Sequence, residues 1–348
     1  MRNTLTGLTL WFTLTSCWSQ TQPTDIAQTI PNDTETIAVA AEPAESSGET
    51  HQRYRRRYSG PITDSQLSEI SGMAVSQRDD QLLWIINDSG NAASLFAIDT
   101  RGRLLTTFKT SLQNRDWESL TSLTLNNKPY LLLGDSGDNL GVHKNYRLHL
   151  FEEPVLKATR DLPLQPVATT TFTYTDGKHN VEALAWSEPD NKVLLITKRA
   201  NNAAVYSTRL VTRPGQHPEF NAVREGALAN LPQSVSDALI SNIAGVEMSQ
   251  VTGLEIDREG RNAYVLTYRG VYHFQRKKLD EQSHNNIHSW EDWRKTFGRT
   301  PRLLTRHTLS QAEALAYVPD SGILYYTSEK LPAPLWRLEP VRRDSAVK

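Results

Sequence analysis

Residues 130 to 139 read Tyr130-Leu-Leu-Leu-Gly-Asp-Ser-Gly-Asp-Asn139. A run of apolar side chains stopped by Gly-Asp-Ser-Gly is the pattern of a buried strand ended by turn chemistry. The same design stands upstream in Leu82-Leu-Trp-Ile-Ile-Asn-Asp-Ser-Gly-Asn91. Weaker copies are Val193-Leu-Leu-Ile-Thr-Lys-Arg199, Ala263-Tyr-Val-Leu-Thr-Tyr-Arg269 and Ile323-Leu-Tyr-Tyr-Thr-Ser-Glu-Lys330. The stretch is therefore one copy of a repeat rather than a solitary active-site signature.

Each copy is preceded by a second apolar segment: Ser71-Gly-Met-Ala, Glu118-Ser-Leu-Thr, Glu182-Ala-Leu-Ala, Thr252-Gly-Leu-Glu and Glu313-Ala-Leu-Ala. The interval to the strand-end motif is 17 residues from Ser71 to Asp88 and from Glu118 to Asp135. It is 16 from Glu182 to Lys198, Thr252 to Tyr268 and Glu313 to Glu329. Third strands follow at Ser94–Asp99, Tyr146–Phe151, Ala204–Arg209, Val271–Gln275 and Leu335–Leu338, and fourth strands at Leu104–Phe108, Thr170–Tyr174 and Leu303–Arg306. Four antiparallel strands per unit, with unit starts 47 to 70 residues apart, predict an all-β chain, a β-propeller of four-stranded antiparallel blades. Five blades are expected, with an N-terminal strand around Arg55 to Thr63 completing the last; the long 210–250 region leaves a degenerate sixth open. Asp280 to Phe297, with Trp290-Glu-Asp-Trp293, reads as an excursion between strands with a short helix.

The whole chain sets bounds on this reading. Its 348 residues, 38% hydrophobic with 8 Trp and 12 Tyr, are those of a folded protein, and a formal charge of -1 gives no global attraction to nucleic acid. Met1 and Arg2 precede an apolar, Thr-rich segment from Leu5 to Thr15, too short to span a bilayer, followed by Leu14-Thr-Ser-Cys17. That tetrapeptide resembles the bacterial lipobox, which implies cleavage, lipidation of Cys17 and a membrane anchor. The alternative is an ordinary secretory signal with an incidental cysteine. Trp18 and Ser19 stand where a sorting Asp would retain the protein at the inner membrane, so the resemblance points to an outer-membrane lipoprotein facing the periplasm. The expected division is a signal over 1–17, a disordered tether over 18–58, the propeller over 59–341 and a flexible tail over 342–348. Arg53-Tyr-Arg-Arg-Arg-Tyr58 would touch anionic head groups or simply form a solvated strand.

In a propeller the first strand of each blade starts at the face where the second ends, so two rings of side chains meet at one mouth. The first ring is Ser71, Glu118, Glu182, Thr252 and Glu313. The second is Asp88, Asp135, Lys198, Tyr268 and Glu329, with Ser89, Ser136, Arg199, Arg269 and Lys330 beside it and Asp116, Asp138 and Asn139 near the rim. Clustered carboxylates need a cation, protons or basic partners to coexist. Hard oxygen ligands on flexible turns suit Ca²⁺, with Glu118, Asp135, Asp138, Asn139, Glu182 and Glu313 as candidate ligands; a salt-bridge network with the basic members is the alternative. Candidate ligand-binding residues are Asp88, Asp116, Lys198, Arg199, Tyr268, Arg269 and Glu329, suited to a polar or anionic small molecule or a glycan. For catalysis, Lys198 or Arg269 would steady developing charge and Glu118 or Glu182 would act as general base.

Other chemistries fit less well. Gly134-Asp-Ser-Gly137 lacks the partners of a serine-protease triad and has a sibling at 88 to 90. His284 and His288 have i,i+4 spacing without the Glu of a zinc-protease helix. Taken together, Trp84 with Asn87-Asp-Ser-Gly90, Asp116-Trp-Glu118, Gly134-Asp-Ser-Gly-Asp-Asn139, Glu153-Pro154, Glu182-Ala183, Thr197-Lys198, Thr267-Tyr-Arg269 and Ala312-Glu-Ala314 resemble a poorly characterised family of secreted bacterial β-propeller proteins. The Glu-x-Leu-Ala strand starts are more distantly similar to SMP-30/gluconolactonase-like, calcium-dependent nucleotidase and esterase-like phytase propellers. These imply an axial Ca²⁺ and hydrolysis of a lactone or phosphoester. The expectation is a monomeric, envelope-anchored propeller whose acidic mouth holds a divalent cation and a polar or anionic ligand. The alternative is a non-catalytic protein- or glycan-binding scaffold in which the mouth or the Trp290/Trp293 excursion docks an envelope protein.

Overall fold

In the computed structural model the described residues are 52–157, 162–199, 202–216, 218–244, 247–279 and 290–341. Cys17, most of the expected tether, the pair His284 and His288, and the tail 342–348 lie outside them.

After a first strand, β1 (Tyr54–Ile62), the sequence repeat becomes a series of antiparallel meanders. The first holds β2 (Ile70–Val75), β3 (Leu82–Asn87), β4 (Ser94–Asp99) and β5 (Leu104–Lys109); the second holds β6 (Trp117–Leu125), β7 (Lys128–Asp135), β8 (Tyr146–Glu152) and β9 (Ala168–Tyr174). The third holds β10 (Val181–Ser187), β11 (Lys192–Thr197), β12 (Ala204–Thr208) and β13 (Glu219–Ala227), followed by α1 (Val235–Ala244). The fourth holds β14 (Val251–Ile256), β15 (Asn262–Thr267) and β16 (Gly270–Gln275), then, after α2 (Trp293–Phe297), β17 (Arg302–Arg306). β18 (Ala312–Tyr317), β19 (Leu324–Ser328) and β20 (Ala333–Pro340) form the last, and β1 completes it by pairing antiparallel with β20, Tyr54 opposite Pro340 and Ile62 opposite Ala333. The second and third meanders are joined into one eight-stranded sheet by a parallel pairing of β13 with β9.

Two expectations change here. Tyr54–Tyr58 fell in the tether of the expected division, yet they lie in β1. The arginines do not oppose pairing: Arg57 Nε meets Glu339 at 2.8 Å and the Arg56 guanidinium stacks 3.7 Å from the Trp336 ring centre. The 210–250 region supplies β13 as the fourth strand of the third meander together with α1, and no further sheet among the described residues.

The innermost strands β2, β6, β10, β14 and β18 touch one another in a closed cycle, β18 returning to β2. Five apolar clusters fill the five seams of that cycle. Leu82, Trp84 and Phe108 of the first meander pack on Trp117, Leu131 and Phe151 of the second. Ile70, Met73 and Phe96 pack on Ala314, Tyr325 and Leu335, bringing the last meander against the first. Two carboxylates, the buried Glu153 and the half-buried Asp190, pin two seams from the side. Glu153 accepts from Gln77 N at 3.0 Å, Trp84 Nε1 at 3.0 Å and Ser76 Oγ. Asp190 accepts from Trp293 Nε1 at 2.8 Å and pairs with Arg276 at 3.0 Å. Trp293 is 1% exposed, so it is not the docking side chain that the sequence suggested: it packs on Phe297 as part of the core. The result is a β-propeller-like all-β fold.

Candidate functional site

The pairing of each innermost strand with its neighbour slips by one residue at the same place. The irregularities fall between Ile70 and Gly72, Trp117 and Ser119, Val181 and Ala183, Val251 and Gly253, and Ala312 and Ala314. In every case the residue skipped is the first-ring residue, Ser71, Glu118, Glu182, Thr252 or Glu313. A bulge leaves its extra residue out of the ladder and re-aims its side chain. All five consequently line one narrow axial cavity.

These five divide by chemistry. Ser71 Oγ donates to Trp117 O at 2.7 Å and Thr252 Oγ1 to Ala312 O at 2.6 Å, so the two hydroxyls staple neighbouring innermost strands together. The three glutamates keep their carboxylates at the axis. Lys198 Nζ sits 2.5 Å from Glu182 and 3.4 Å from Glu313, and the Tyr268 hydroxyl donates to Glu313 at 3.0 Å. Burial works against the lysine's charge, but Glu182 and Glu313 together outweigh it and hold the ammonium well above its usual range. Burial likewise pushes the Glu182 carboxyl up to about 8, against the pull of Lys198, and raises Glu313. Glu182 Oε2 is buried without a hydrogen-bond partner, as is Glu329 Oε2.

Glu118 has a different setting. It is 4% exposed, and no hydrogen bond or ion pair reaches its carboxylate among the described residues. Burial and then the charges of Glu182 and Asp88 raise it well above the carboxylate range. Its neighbours are Asp116 and Asp88: one oxygen from each of the three lies within 4.8 Å of the others. Burial and then Asp88 push the Asp116 carboxyl up to about 6. The place is shaped for these groups by Gly137, where a Cβ would stand 2.5 Å from Asp116 Cγ and 2.8 Å from Glu118 Cγ. Three hard oxygens, one of them from the buried Glu118, around a glycine-made cradle are the donor set of a hard divalent cation.

Other sequence candidates are placed differently. Asp135 is held by Arg115 Nε at 2.7 Å and by the Asp116 N–H at 3.1 Å. Asp138 accepts from Val142 N at 2.6 Å and Tyr146 Oη at 2.9 Å. Burial opposes both charges, but His149 and Arg115 beside Asp135, and Tyr146 with backbone N–H groups beside Asp138, hold both carboxyls below their usual range. Asp135's lone pairs serve the segment that precedes β6 and Asp138's the turn that follows β7, and Asn139 Oδ1 accepts from Asn180 Nδ2 at 2.9 Å. Glu329 is buried, its carboxyl pushed up to about 7 by burial and then by Glu313.

Beside the acidic axis opens a cleft of about 1140 Å³, lined among others by Asn139, Lys178, Lys198, Arg199, Tyr268 and Arg269. Lys198 and Tyr268 belong to both cleft and axis, since they line the one and bond the glutamates of the other. Lys178, Asn180, Met248 and Leu140 are cleft residues that reading the sequence did not single out. Only the position of Leu140 and Lys178 in turns after predicted strands signalled them.

No family model and no curated protein matches this chain. Among solved structures it is similar to Myxococcus xanthus glutaminyl cyclase, with 12% identity, 84% of this chain and 99% of that one covered, and a TM-score of 0.44. A luciferin-regenerating enzyme matches at 14% identity, 81% and 96% coverage and a TM-score of 0.38. A putative phosphatase from Bacteroides thetaiotaomicron matches at 8% identity, 84% and 80% coverage and a TM-score of 0.40. At these values no residue role transfers, and the chemistry rests on this chain's own side chains.

Proposed function

We propose that this chain is a five-bladed β-propeller, exported and anchored to the outer membrane through Cys17, that binds a divalent cation, Ca²⁺ by preference, at Asp88, Asp116 and Glu118. Its cleft takes a polar or anionic ester, and the site hydrolyses a phosphoester or lactone bond. The observation that carries this reading is the triad itself, with its buried, unpartnered Glu118 and the space that Gly137 leaves for it.

A bound divalent cation would polarise a phosphoryl or carbonyl oxygen of the ligand. The chain's own groups supply the rest. Arg199 and Arg269 offer positive charge to an anionic substrate in the cleft. Lys198, fixed between two carboxylates, is a permanent cation at the junction of cleft and axis. With Glu118 committed as a ligand, the proton-transfer role falls to Glu182, whose free Oε2 and raised carboxyl suit it to hold and return a proton near neutral pH.

Thermal unfolding with Ca²⁺, Mg²⁺ and Mn²⁺ tests the cation site. Saturation at about 100 times Kd stabilises by about 2.7 kcal/mol, so the wild type should show a clear rise in Tm that Glu118→Gln and Asp116→Asn lose. An equal rise in the variants would remove the site. Hydrolysis of phosphoester and lactone substrates with and without EDTA then tests activity, and silence across the panel in a protein that binds the cation would favour a non-catalytic scaffold.

A further inference from the structure

Ten large apolar side chains are exposed among the described residues, and five of them, Leu140, Val142, Val235, Leu239 and Ile240, stand on just two segments, the 138–142 turn that lines the cleft and α1, whose Asp237 lies beside the cleft residue Arg269. Leu140 is 85% exposed and Val235 89%, far more than a side chain serving the core. Both segments are fastened in place. The 138–142 turn is tied by the Val142 N–H to Asp138 at 2.6 Å and by Lys178 Nζ to Gly141 O at 2.7 Å. In the second segment, Asp237 of α1 pairs with Arg306 at 3.2 Å and lies 3.8 Å from the cleft residue Arg269. Ser241 Oγ accepts from the N–H of Met248, which lines the cleft. At about 100° per residue, Asp237 lies on the opposite side of α1 from Val235 and Leu239. The helix therefore turns Asp237 to the cleft arginine and Val235 and Leu239 away from it, while Ile240, about 60° from Asp237, stays on the charged side.

Two fixed apolar segments at the cleft, whose lining carries Lys178, Lys198, Arg199 and Arg269 against Asp138 and Glu247, are complementary to an anionic amphiphile at an interface: the apolar side chains bury in acyl chains and the cations meet head groups. We propose that this face docks on a bilayer surface bearing anionic phospholipid, with a lipid phosphate group entering the cleft. The inference rests on the proposed function and narrows its substrate class to the phosphoester of a membrane lipid.

The test uses the full chain with Cys17→Ser, so that no lipid anchor contributes, in co-sedimentation with phosphatidylglycerol and phosphatidylcholine vesicles at physiological salt. Binding to the anionic vesicles should exceed binding to the zwitterionic ones at least tenfold. It should fall at least tenfold in Leu140→Ser/Val142→Ser and in Val235→Ser/Leu239→Ser, both of which keep the cation-induced rise in Tm. Equal binding to both vesicle types, or unchanged binding by the serine variants, overturns the docking surface. So does equally tight binding of soluble glycerol phosphate, which would leave the cleft an ordinary phosphate site and the proposed function intact. Loss of the cation response alone would strike the proposed function and leave vesicle docking standing.

Discussion

Gly137 sits in the stretch from which the whole reading starts, and its lack of a side chain is what lets Asp116 and Glu118 share one place. Gly137→Ala should splay the two carboxylates and weaken the cation at least tenfold, measured by calorimetric titration. Gly90→Ala, whose Cβ would meet nothing within 4 Å, should cost stability through its φ of +82° and leave cation affinity unchanged. A second single-residue test concerns pH. Hydrogen bonds from Arg299 hold the Glu291 carboxyl down to about 2, from 4.5. Because the folded value is depressed, the ion pair's stabilisation is complete above about 4.5 and disappears as pH falls towards 2. Glu291→Gln should flatten the acid limb of stability in that window, read from urea midpoints at successive pH values. At this scale the sequence was only partly legible. Asp88, Asp116 and Glu118 were all recognised as mouth residues, but divided between two roles, while Asp135 and Asp138 were grouped with the ligands. Nothing in a linear sequence tells that a backbone N–H has already claimed a carboxylate, as happens at both of those residues.

The five bulges are the elements that convert a sheet architecture into a site. Each innermost strand spends one residue outside its ladder, and that residue becomes either an axial glutamate or a hydroxyl staple. Thr252→Val keeps the shape of the side chain but leaves the buried Ala312 carbonyl without this donor, so it should cost about 1 to 2 kcal/mol in urea unfolding. Thr252→Ser should recover most of that loss. The strands themselves were easy to read, because second strands packed on both faces, such as β3, β7 and β11, appear as nearly unbroken apolar runs and the turns carry their own signals. Asn126-Asn127, with φ of 49° and 59°, joins β6 to β7 in such a two-residue turn. β13 was missed because its side chains are mostly exposed and its alternation, with a single buried position at Ala222, breaks down after Val223. The bulges were invisible for a related reason: one extra residue changes no composition and shifts the apolar alternation by a single step.

Across the whole molecule, the closed cycle of seams is what brings residues more than two hundred positions apart to one axis. β1 on β20 is the covalently free join of that cycle, and it shields an edge that would otherwise pair with other chains. A chain beginning at Thr63 should therefore unfold at a lower temperature than one beginning at Gln52 and should aggregate, as followed by light scattering. This closure was foreseen from the absence of a fourth strand after Pro340, since a propeller unit one strand short has to find it at the other chain end. The cleft was not foreseen, because it is assembled from turns of different units whose sequences share nothing. The direct test of the central claim is anomalous scattering from crystals grown with terbium, an oxygen-seeking stand-in for calcium. A peak at about 2.3 to 2.6 Å from oxygens of Asp88, Asp116 and Glu118 is the expected result. A peak beside Asp135 and Asp138 instead, or none at the triad, would contradict the cation site at its root.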